Sequence, residues 1–408
     1  GSLPKALFSI PAVPRKLRED ALHDYLCLMP TESQATMFES IFRLEPGQYL
    51  VLKDGRPKVE RYHLFGCGRA LRFRDPQEYV HGLREQLDKA VGRRLRAFGP
   101  VACELSSGFD SSTICAIAAL RRAATDQRIF AVTGVLPEAK REGPVPPGWH
   151  RDEGKGAKAV AAMYDNIDHV LVESSGHSPL DGLERRIERT DRPVLNPSNL
   201  RWVDDMRAAV RDCGARVLLN GWQGNLTISH DGRCLLQSLL SRGRIFAWYA
   251  VVRAMKRHYP RVPKRWFLEF SMAPFVPARL WAAYQRKRGD GKNLEEYSAI
   301  SASMRKRFKT ERRARALGHD LMYRGTPDSV RFRMSPLYRL EFAETCLELN
   351  AQGLEPRSPA MDRRLIEYCL SIPENIYLHD GRPQWLIREL GKRLLPPEIL
   401  LSETRGYQ

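Results

Sequence analysis

Between residues 77 and 220, short apolar runs alternate with stretches of helical spacing, and this alternation limits the fold more than any other feature. Gln77–Phe98 places Val80, Leu83, Leu87, Val91 and Leu95 on one helical face. Val101–Leu105 is a short apolar strand, and Ser111–Ala123 is an Ala-rich helix. Strand Arg128–Val135, helix Lys155–Tyr164 and strand His169–Val172 repeat the unit, and helix Arg201–Cys213 runs into strand Arg216–Asn220. Strands without a polar alternate face are covered on both sides. The pattern therefore predicts an α/β fold with a mostly parallel sheet flanked by helices. From about residue 233 onward helical patterns dominate, most clearly in Asp362–Ser371 and Gln384–Leu394.

Ahead of this region, residues 3–20 are Pro- and charge-rich and read as a linker. Leu44–Leu52, the pair Asp54-Gly55 and Lys58–Leu64 then form a hairpin signal, because Asp-Gly supplies the positive φ of a tight turn. Residues 3–65 thus read as a small β-containing unit and residues 75–408 as the main domain. Gly1-Ser2 looks like the pair left by tag cleavage and is set aside. The eight cysteines are scattered without a CxxC pair, which argues against a structural zinc site and a disulfide framework and points to a reducing cytoplasm. No apolar run reaches the ~18 residues of a membrane span.

The formal net charge of +18 favours anionic partners such as a nucleotide, an acidic peptide or nucleic acid. The excess concentrates in residues 244–265 and 286–315. In the second block Arg305, Lys306, Arg307, Lys309, Arg312, Arg313 and Arg315 crowd one expected helix, which also reads as a solvated face. The aromatic interleaving used by single-strand binders is missing there.

The chemistry concentrates in Ser106-Ser107-Gly108-Phe109-Asp110-Ser111-Ser112, which follows an apolar strand and opens a helix. Small residues let backbone N–H groups approach an anion, and the helix dipole adds to the attraction. Asp110 cannot bind phosphate itself; its carboxylate makes sense with a Mg²⁺ ion bridging it to a nucleotide. Neither the Gly-Lys-Ser/Thr of a P-loop nor the spaced glycines of a dinucleotide site is present. The plainer reading is a strand-to-helix turn with Asp110 or Ser111 as an ordinary cap.

The segment resembles the Ser-Gly-Gly-x-Asp-Ser motif of the pyrophosphate-loop ATP pyrophosphatases, with Ser107 in place of the first glycine, and it looks most like the asparagine-synthetase-like ligases. The resemblance runs through nearly the whole chain. Arg43-Leu44-x-Pro46-Gly47 and the hairpin look like the end of that family's N-terminal glutaminase-like domain. Arg357–Glu367 looks like its Arg-x-Pro-x-x-Asp helix start, and Gly381-Arg382 to Arg388 with Leu395-Pro396-Pro397-Glu398 looks like its C-terminal helix and turn. The resemblance implies nucleotide contacts at Leu105, Ser106, Ser107, Gly108, Asp110, Ser111 and Ser112. Val132, Thr133 and Gly134 would flank adenine, with Asn220 and Gly221 against the nucleotide.

Two departures narrow the substrate that the resemblance implies. Asparagine synthetases continue this strand with Ser-Gly-x-Gly-Ser-Asp-Glu, whose Asp binds metal; here Asn225, a candidate metal ligand with Asp110, offers only a neutral amide oxygen, so a carboxylate is lost, and Leu226 replaces Glu. Trp222 stands at the substrate-facing position, implying a larger, less polar acyl pocket, or else a core or lid aromatic. The glutaminase's N-terminal cysteine is not near residue 1, so either that domain precedes this sequence or the amine comes from the substrate. Residues 225–232, Asn-Leu-Thr-Ile-Ser-x-Asp-Gly, resemble the lasso peptide macrolactam synthetases, which join the N-terminal amine of a cut precursor peptide to an Asp or Glu side chain.

That resemblance implies a core-peptide substrate, ATP and Mg²⁺ as cofactors, and a leader peptidase and leader-binding protein as partners; no membrane partner is expected, and nucleic acid is the less favoured partner. It also implies an acyl-adenylate, with Arg405 replacing the family's pyrophosphate-stabilising Lys, whose position is Thr404. Glu341, Glu344 and Glu348, at helical spacing, are the candidate bases for the amine, or else a solvated face. Alternatives are asparagine synthetase, a β-lactam-synthetase-like cyclase, a tRNA-modifying ATP pyrophosphatase (its sulfur-transferring members need a cysteine pair, and none is evident) and a basic nucleic-acid-binding protein.

Overall fold

The computed structural model describes residues 3–30, 34–66, 68–138, 144–145, 148–174, 178, 180–194, 197–288, 294–334, 350 and 353–406, without the side chains of 198, 288 and 405. The chain divides into two compact units. One gathers Gly1–Cys67, Gly232–Ala343 and Leu378–Arg382; the other gathers Gly68–Asp231, Glu344–Tyr377 and Pro383–Gln408. The N-terminal residues are thus grouped with the helical segment 232–343.

In that first unit the expected hairpin forms from β1 (Gln48–Lys53) and β2 (Arg56–Arg61), paired from Gln48↔Arg61 to Lys53↔Arg56. Asp54 and Gly55 take φ of 50° and 74°, the two positive values that a type I′ turn requires. The arginine-rich helix is interrupted at Lys309 (φ 48°) into Ala302–Phe308 and Thr310–Ala316. Part of its charge is structural: Arg313 clamps the buried Asp24 at 2.6 and 2.7 Å, and His23 bridges Asp24 at 3.0 Å and Thr310 at 2.8 Å. Lys306, Lys309, Arg312 and Arg315 line a shallow depression with Arg305, which itself pairs with Glu295 and Glu311.

The second unit is built on a parallel sheet, as the alternation predicts, with the four expected strands and a fifth, Glu355–Arg357, that the sequence does not announce. Its strands are β3 (Val101–Glu104), β4 (Ile129–Val135), β6 (Ile167–Glu173), β7 (Val217–Leu219) and β8 (Glu355–Arg357), in the order β6-β4-β3-β7-β8. Pairing starts at Val101↔Ile129, Val101↔Val217, Ile129↔Ile167 and Val217↔Glu355. Because side chains alternate along a strand, the two faces have separate cores. Val101, Cys103, Ile129, Ala131, Val217 and Leu219 meet helices Pro76–Arg94, Phe109–Ala123, Glu153–Ala161, Arg363–Ser371 and Trp385–Gly391. Ala102, Val132 and Leu218 meet Met206 and Val210 of helix Pro197–Asp212. A further two-residue pair joins β5 (Trp149–His150) to β9 (Arg405–Gly406) in parallel.

Observed boundaries lie within a few residues of the expected ones, and Asp152-Glu153 opens a helix as its acidity suggests: Asp152 caps Gly154 N–H at 2.8 Å. Cys103 and Cys115 are buried free thiols in the sheet–helix core. Among the described residues no helix is long and apolar enough to cross a membrane.

Asp362 fastens the C-terminal helices to this core. It caps Arg364 N–H at 3.1 Å and takes ion pairs from Arg93 at 3.0 Å and Arg94 at 2.8 Å. Burial works to raise its carboxyl, but hydrogen bonds from Arg94 and Arg93 outweigh burial and hold it below the ordinary value. Asp362→Ala should cost about 2 kcal/mol in urea unfolding at pH 7, since it loses a cap and leaves two partly exposed guanidinium groups less paired. A carboxyl lowered in the folded state stabilises fully above its unfolded pKa and loses that contribution as pH falls through the folded value. The wild-type–mutant difference should therefore hold above about pH 5 and shrink below pH 4.

Candidate functional site

In a parallel sheet every strand delivers its carboxyl end to the same edge, and a crevice opens where two neighbours send their chains to opposite sides. Here that place is between β3 and β7, since the chain proceeds from β3 to β4 and β6 on one side and from β7 to β8 on the other. The Ser106–Ser112 segment and the Asn220–Gly224 turn both lie at this point.

After β3, the buried Leu105 extends the ladder by donating its N–H to the Val132 carbonyl at 2.9 Å. Ser106, Ser107 and Gly108 then turn the chain into helix Phe109–Ala123. Gly108 is the N-cap, in extended conformation, and no side chain caps the first turn. The plainer reading of Asp110 or Ser111 as the cap is thereby set aside, and the first-turn N–H groups remain available to an anion. The serines shape the loop from within. Ser111 Oγ accepts from Ser106 N–H at 3.1 Å and lies 2.7 Å from Ser106 Oγ, which accepts from Gly108 N–H at 3.1 Å. Ser112 Oγ donates to the Ser106 carbonyl at 2.8 Å.

Asp110 sits under the Asn220–Gly224 turn. A Cβ on Gly224 would lie 2.2 Å from Asp110 Cγ, and one on Gly221 would lie 2.7 Å from Ser111 N. Both positions thus need glycine for the turn to close on the loop. Burial pushes the Asp110 carboxyl up to about 7, opposed by a hydrogen bond from Ser229. Its Oδ1 is buried and lacks a hydrogen-bond partner, as is Asn220 Nδ2. An orphaned carboxylate oxygen beside an uncapped helix start fits a hard cation with oxygen ligands. Asn225, exposed on the same turn, could add an amide oxygen. No cluster of three or more His, Cys, Asp or Glu suited to a metal occurs among the described residues. A cation here would take most of its ligands from phosphate and water, as Mg²⁺ does.

The adenine-flanking candidates occupy the neighbouring strand end. Thr133 Oγ1 donates to the Leu105 carbonyl at 2.6 Å and lies 2.8 Å from His169 Nε2, tying β4 to the start of the loop. Gly134 makes room for Trp202, whose Cε3 would stand 2.7 Å from an added Cβ. Arg357 donates to the carbonyls of Arg94 and Arg96 at 2.8 and 2.6 Å, a structural role like that of Asp362.

Three residues matter here that the motifs do not announce. Glu104, the last residue of β3, is an acid in an apolar strand, and that mismatch is its sequence signal. Burial pushes its carboxyl up to about 7, opposed by the Arg207 charge and a hydrogen bond from the Trp222 side chain. Trp222, the expected substrate-facing aromatic, is half-buried next to this carboxyl. Glu153 accepts from Ser107 N–H at 2.7 Å and from its hydroxyl, and His150 Nε2 lies 2.8 Å from the same hydroxyl. Ser107 is therefore in the loop, but its donors are turned to Glu153. The backbone of Arg405 is placed by β9, next to Thr404, whereas its side chain and Glu341, Glu344 and Glu348 lie outside the described residues.

A loop of small hydroxylated residues, a buried acid and two glycines at a sheet's switch point agree with what the whole sequence matches. The asparagine synthase family model aligns with residues 82–408. The chain belongs to the asparagine synthase family. It is 22% identical to the glutamine-hydrolysing asparagine synthetase 3 of Bacillus subtilis over all of its own length and 61% of the relative's. It is 32% identical to the amidase chyE of Penicillium rubens, over 91% of this chain and 59% of that one. It is 30% identical to the amidase chry2 of Gibberella zeae, over 34% and 20%. The chain thus spans no more than about three-fifths of these relatives. Among solved structures, an NH3-dependent NAD synthetase from Campylobacter jejuni covers 60% of this chain and 96% of its own at 13% identity, with a TM-score of 0.23, a likeness too low to add to the family assignment.

The Gly224 contact makes a direct test of the site. Gly224→Ala should displace the Asp110 carboxylate and weaken Mg·ATP binding by about tenfold or more in calorimetric titration, with the fold retained in circular dichroism. Unchanged affinity would mean that Asp110 takes no part in binding Mg·ATP.

Proposed function

We propose that this chain forms amide bonds by adenylating a carboxylate with ATP, and that the carboxylate is an Asp or Glu side chain of a peptide whose own N-terminal amine closes a macrolactam. The observation carrying the adenylation reading is Asp110, an acid with one buried, unpartnered carboxylate oxygen at the mouth of an uncapped helix at the β3–β7 crevice.

In the first step the carboxylate oxygen attacks the α-phosphorus, the bond to the bridging oxygen breaks, and pyrophosphate leaves with the electron pair. The first-turn N–H groups of helix Phe109–Ala123, which no side chain caps, would face that chain of phosphates and stabilise charge without reorganising. Asp110, with Asn225, would hold Mg²⁺, which neutralises phosphate charge when bound. Thr133 and Leu105 fix the spacing of the two strand ends that flank the base. In the second step the amine attacks the acyl carbon, AMP departs, and the amine's proton needs an acceptor. Glu104 is a carboxyl poised near neutrality at the same sheet edge, suited to taking and returning a proton.

The peptide reading is supported by the segment Asn225–Gly232, by Trp222 beside Glu104, and by a +18 charge that suits a substrate bearing carboxylates. A precursor peptide implies a leader peptidase and a leader-binding protein as partners. The second reading is aspartate as acyl donor, favoured by the full-length match to an asparagine synthetase.

ATP–pyrophosphate exchange separates the two. Exchange should appear with an Asp- or Glu-containing core peptide bearing a free N-terminus and fall by on the order of 1,000-fold in Asp110→Ala. Exchange with free aspartate and not with peptide would replace the peptide reading, and no exchange with any carboxylate would end the adenylation reading.

A further inference from the structure

We infer that His150 is a catalytic residue of this site, donating from Nε2 to the departing pyrophosphate. The inference rests on the adenylation reading and adds the group that receives the leaving anion.

The leaving pyrophosphate gathers several negative charges at the mouth of the loop. A helix N-terminus offers only about half a positive charge. Asp110 is an acid, and Ser107 has turned both its N–H and its hydroxyl to Glu153. A donor able to carry positive charge is needed at this end of the loop. Arg388 lies near, but its guanidinium sits 4.8 Å over the Phe109 ring and donates to the carbonyls of Leu400 and Ser402, which makes it a brace for the C-terminal segment.

His150 meets the geometric requirements. Nε2 is 2.8 Å from Ser107 Oγ, so the ring edge reaches the loop itself. Nδ1 is 2.9 Å from Thr404 Oγ1, which fixes the orientation of the ring. The parallel β5–β9 pair, His150↔Gly406, holds the backbone on which the ring stands. The side chain remains about a quarter exposed (27%), so the ring is not sealed in the interior. Glu153 Oε2 lies 4.0 Å from Nε2, and its carboxylate is itself buried against Gly406. When pyrophosphate forms, Nε2–H exchanges Ser107 Oγ for a phosphate oxygen, and Ser107 keeps its bond to Glu153. No covalent bond is made or broken in this exchange.

The test is ATP–pyrophosphate exchange with the carboxylate substrate that supports it, with KM determined separately for pyrophosphate, ATP and that substrate. His150→Ala should raise the KM for pyrophosphate about tenfold, the worth of one charge-assisted hydrogen bond. It should also lower the exchange rate on the order of 100-fold, and leave the KM of the carboxylate substrate within about twofold. His150→Lys should recover most of the pyrophosphate KM, which a merely structural ring would not allow. Should His150→Ala fail to fold, Thr404→Val removes only the Nδ1 partner and should raise the pyrophosphate KM about threefold. An unchanged pyrophosphate KM in these variants, or equal shifts in all three KM values without rescue by lysine, overturns the inference while wild-type exchange leaves adenylation standing. Absence of exchange in the wild type removes both.

Discussion

A carboxylate held beneath a glycine turn, at the crevice where two neighbouring parallel strands send the chain opposite ways, is the constraint on which the site depends. Asp110 is desolvated enough that its carboxyl is pushed to about 7, and one of its oxygens has no partner. Burying an unpaired charge is costly. The arrangement makes physical sense when a cation or a proton shares the site. The glycines at 221 and 224, the uncapped helix start and the serine bonds inside the loop all preserve that arrangement: the first two let the turn reach the acid, and the others keep an anion-binding mouth open above it. A single added methyl at Gly224 would occupy the place of the carboxylate.

Much of this was legible in the sequence because it is local. The apolar runs at 101–105 and 128–135 have no polar alternate face, which only a sheet covered on both sides explains, and the structure covers both sides with separate cores. Asp54-Gly55 needed no tertiary information, since its turn chemistry is intrinsic. The Ser106–Ser112 loop was legible for the same reason: a strand, small residues, an acid and a helix in direct succession. What escaped was assembled across the chain. Strand β8 is three residues, Glu355–Arg357, with no apolar signature, and it exists because β7 offers it an edge. The basic run at 305–315 looked like one helix until Lys309 adopted a left-handed conformation and Arg313 turned to Asp24, 289 residues away in sequence.

The contacts of Ser107 illustrate the same limit at the site. From its place in the motif it reads as a phosphate ligand, and nothing near it in sequence suggests otherwise. Glu153 is 46 residues on, His150 is 43 on, and Thr404 comes nearly at the end; the helix start at Glu153 and the β5–β9 pair bring them to one spot. Glu104 is a gentler case. An acid closing an apolar strand is a local inconsistency, and such inconsistencies gather at functional edges because a scaffold gains nothing from a buried charge there. The serine-rich loop and its acid are thus held by the neighbouring strands β3 and β7, and the ring of His150 by the separate β5–β9 pair; of these strands only β3 and β7 were visible beforehand.

The most direct measurement is amide hydrogen exchange, followed by mass spectrometry, with and without a non-hydrolysable ATP analogue and Mg²⁺. Slowing of exchange should concentrate in residues 105–113, 132–134 and 220–226, and should require the cation. Protection that bypasses those three segments, or that is the same without Mg²⁺, would contradict the claim that the loop and Asp110 grip a magnesium nucleotide.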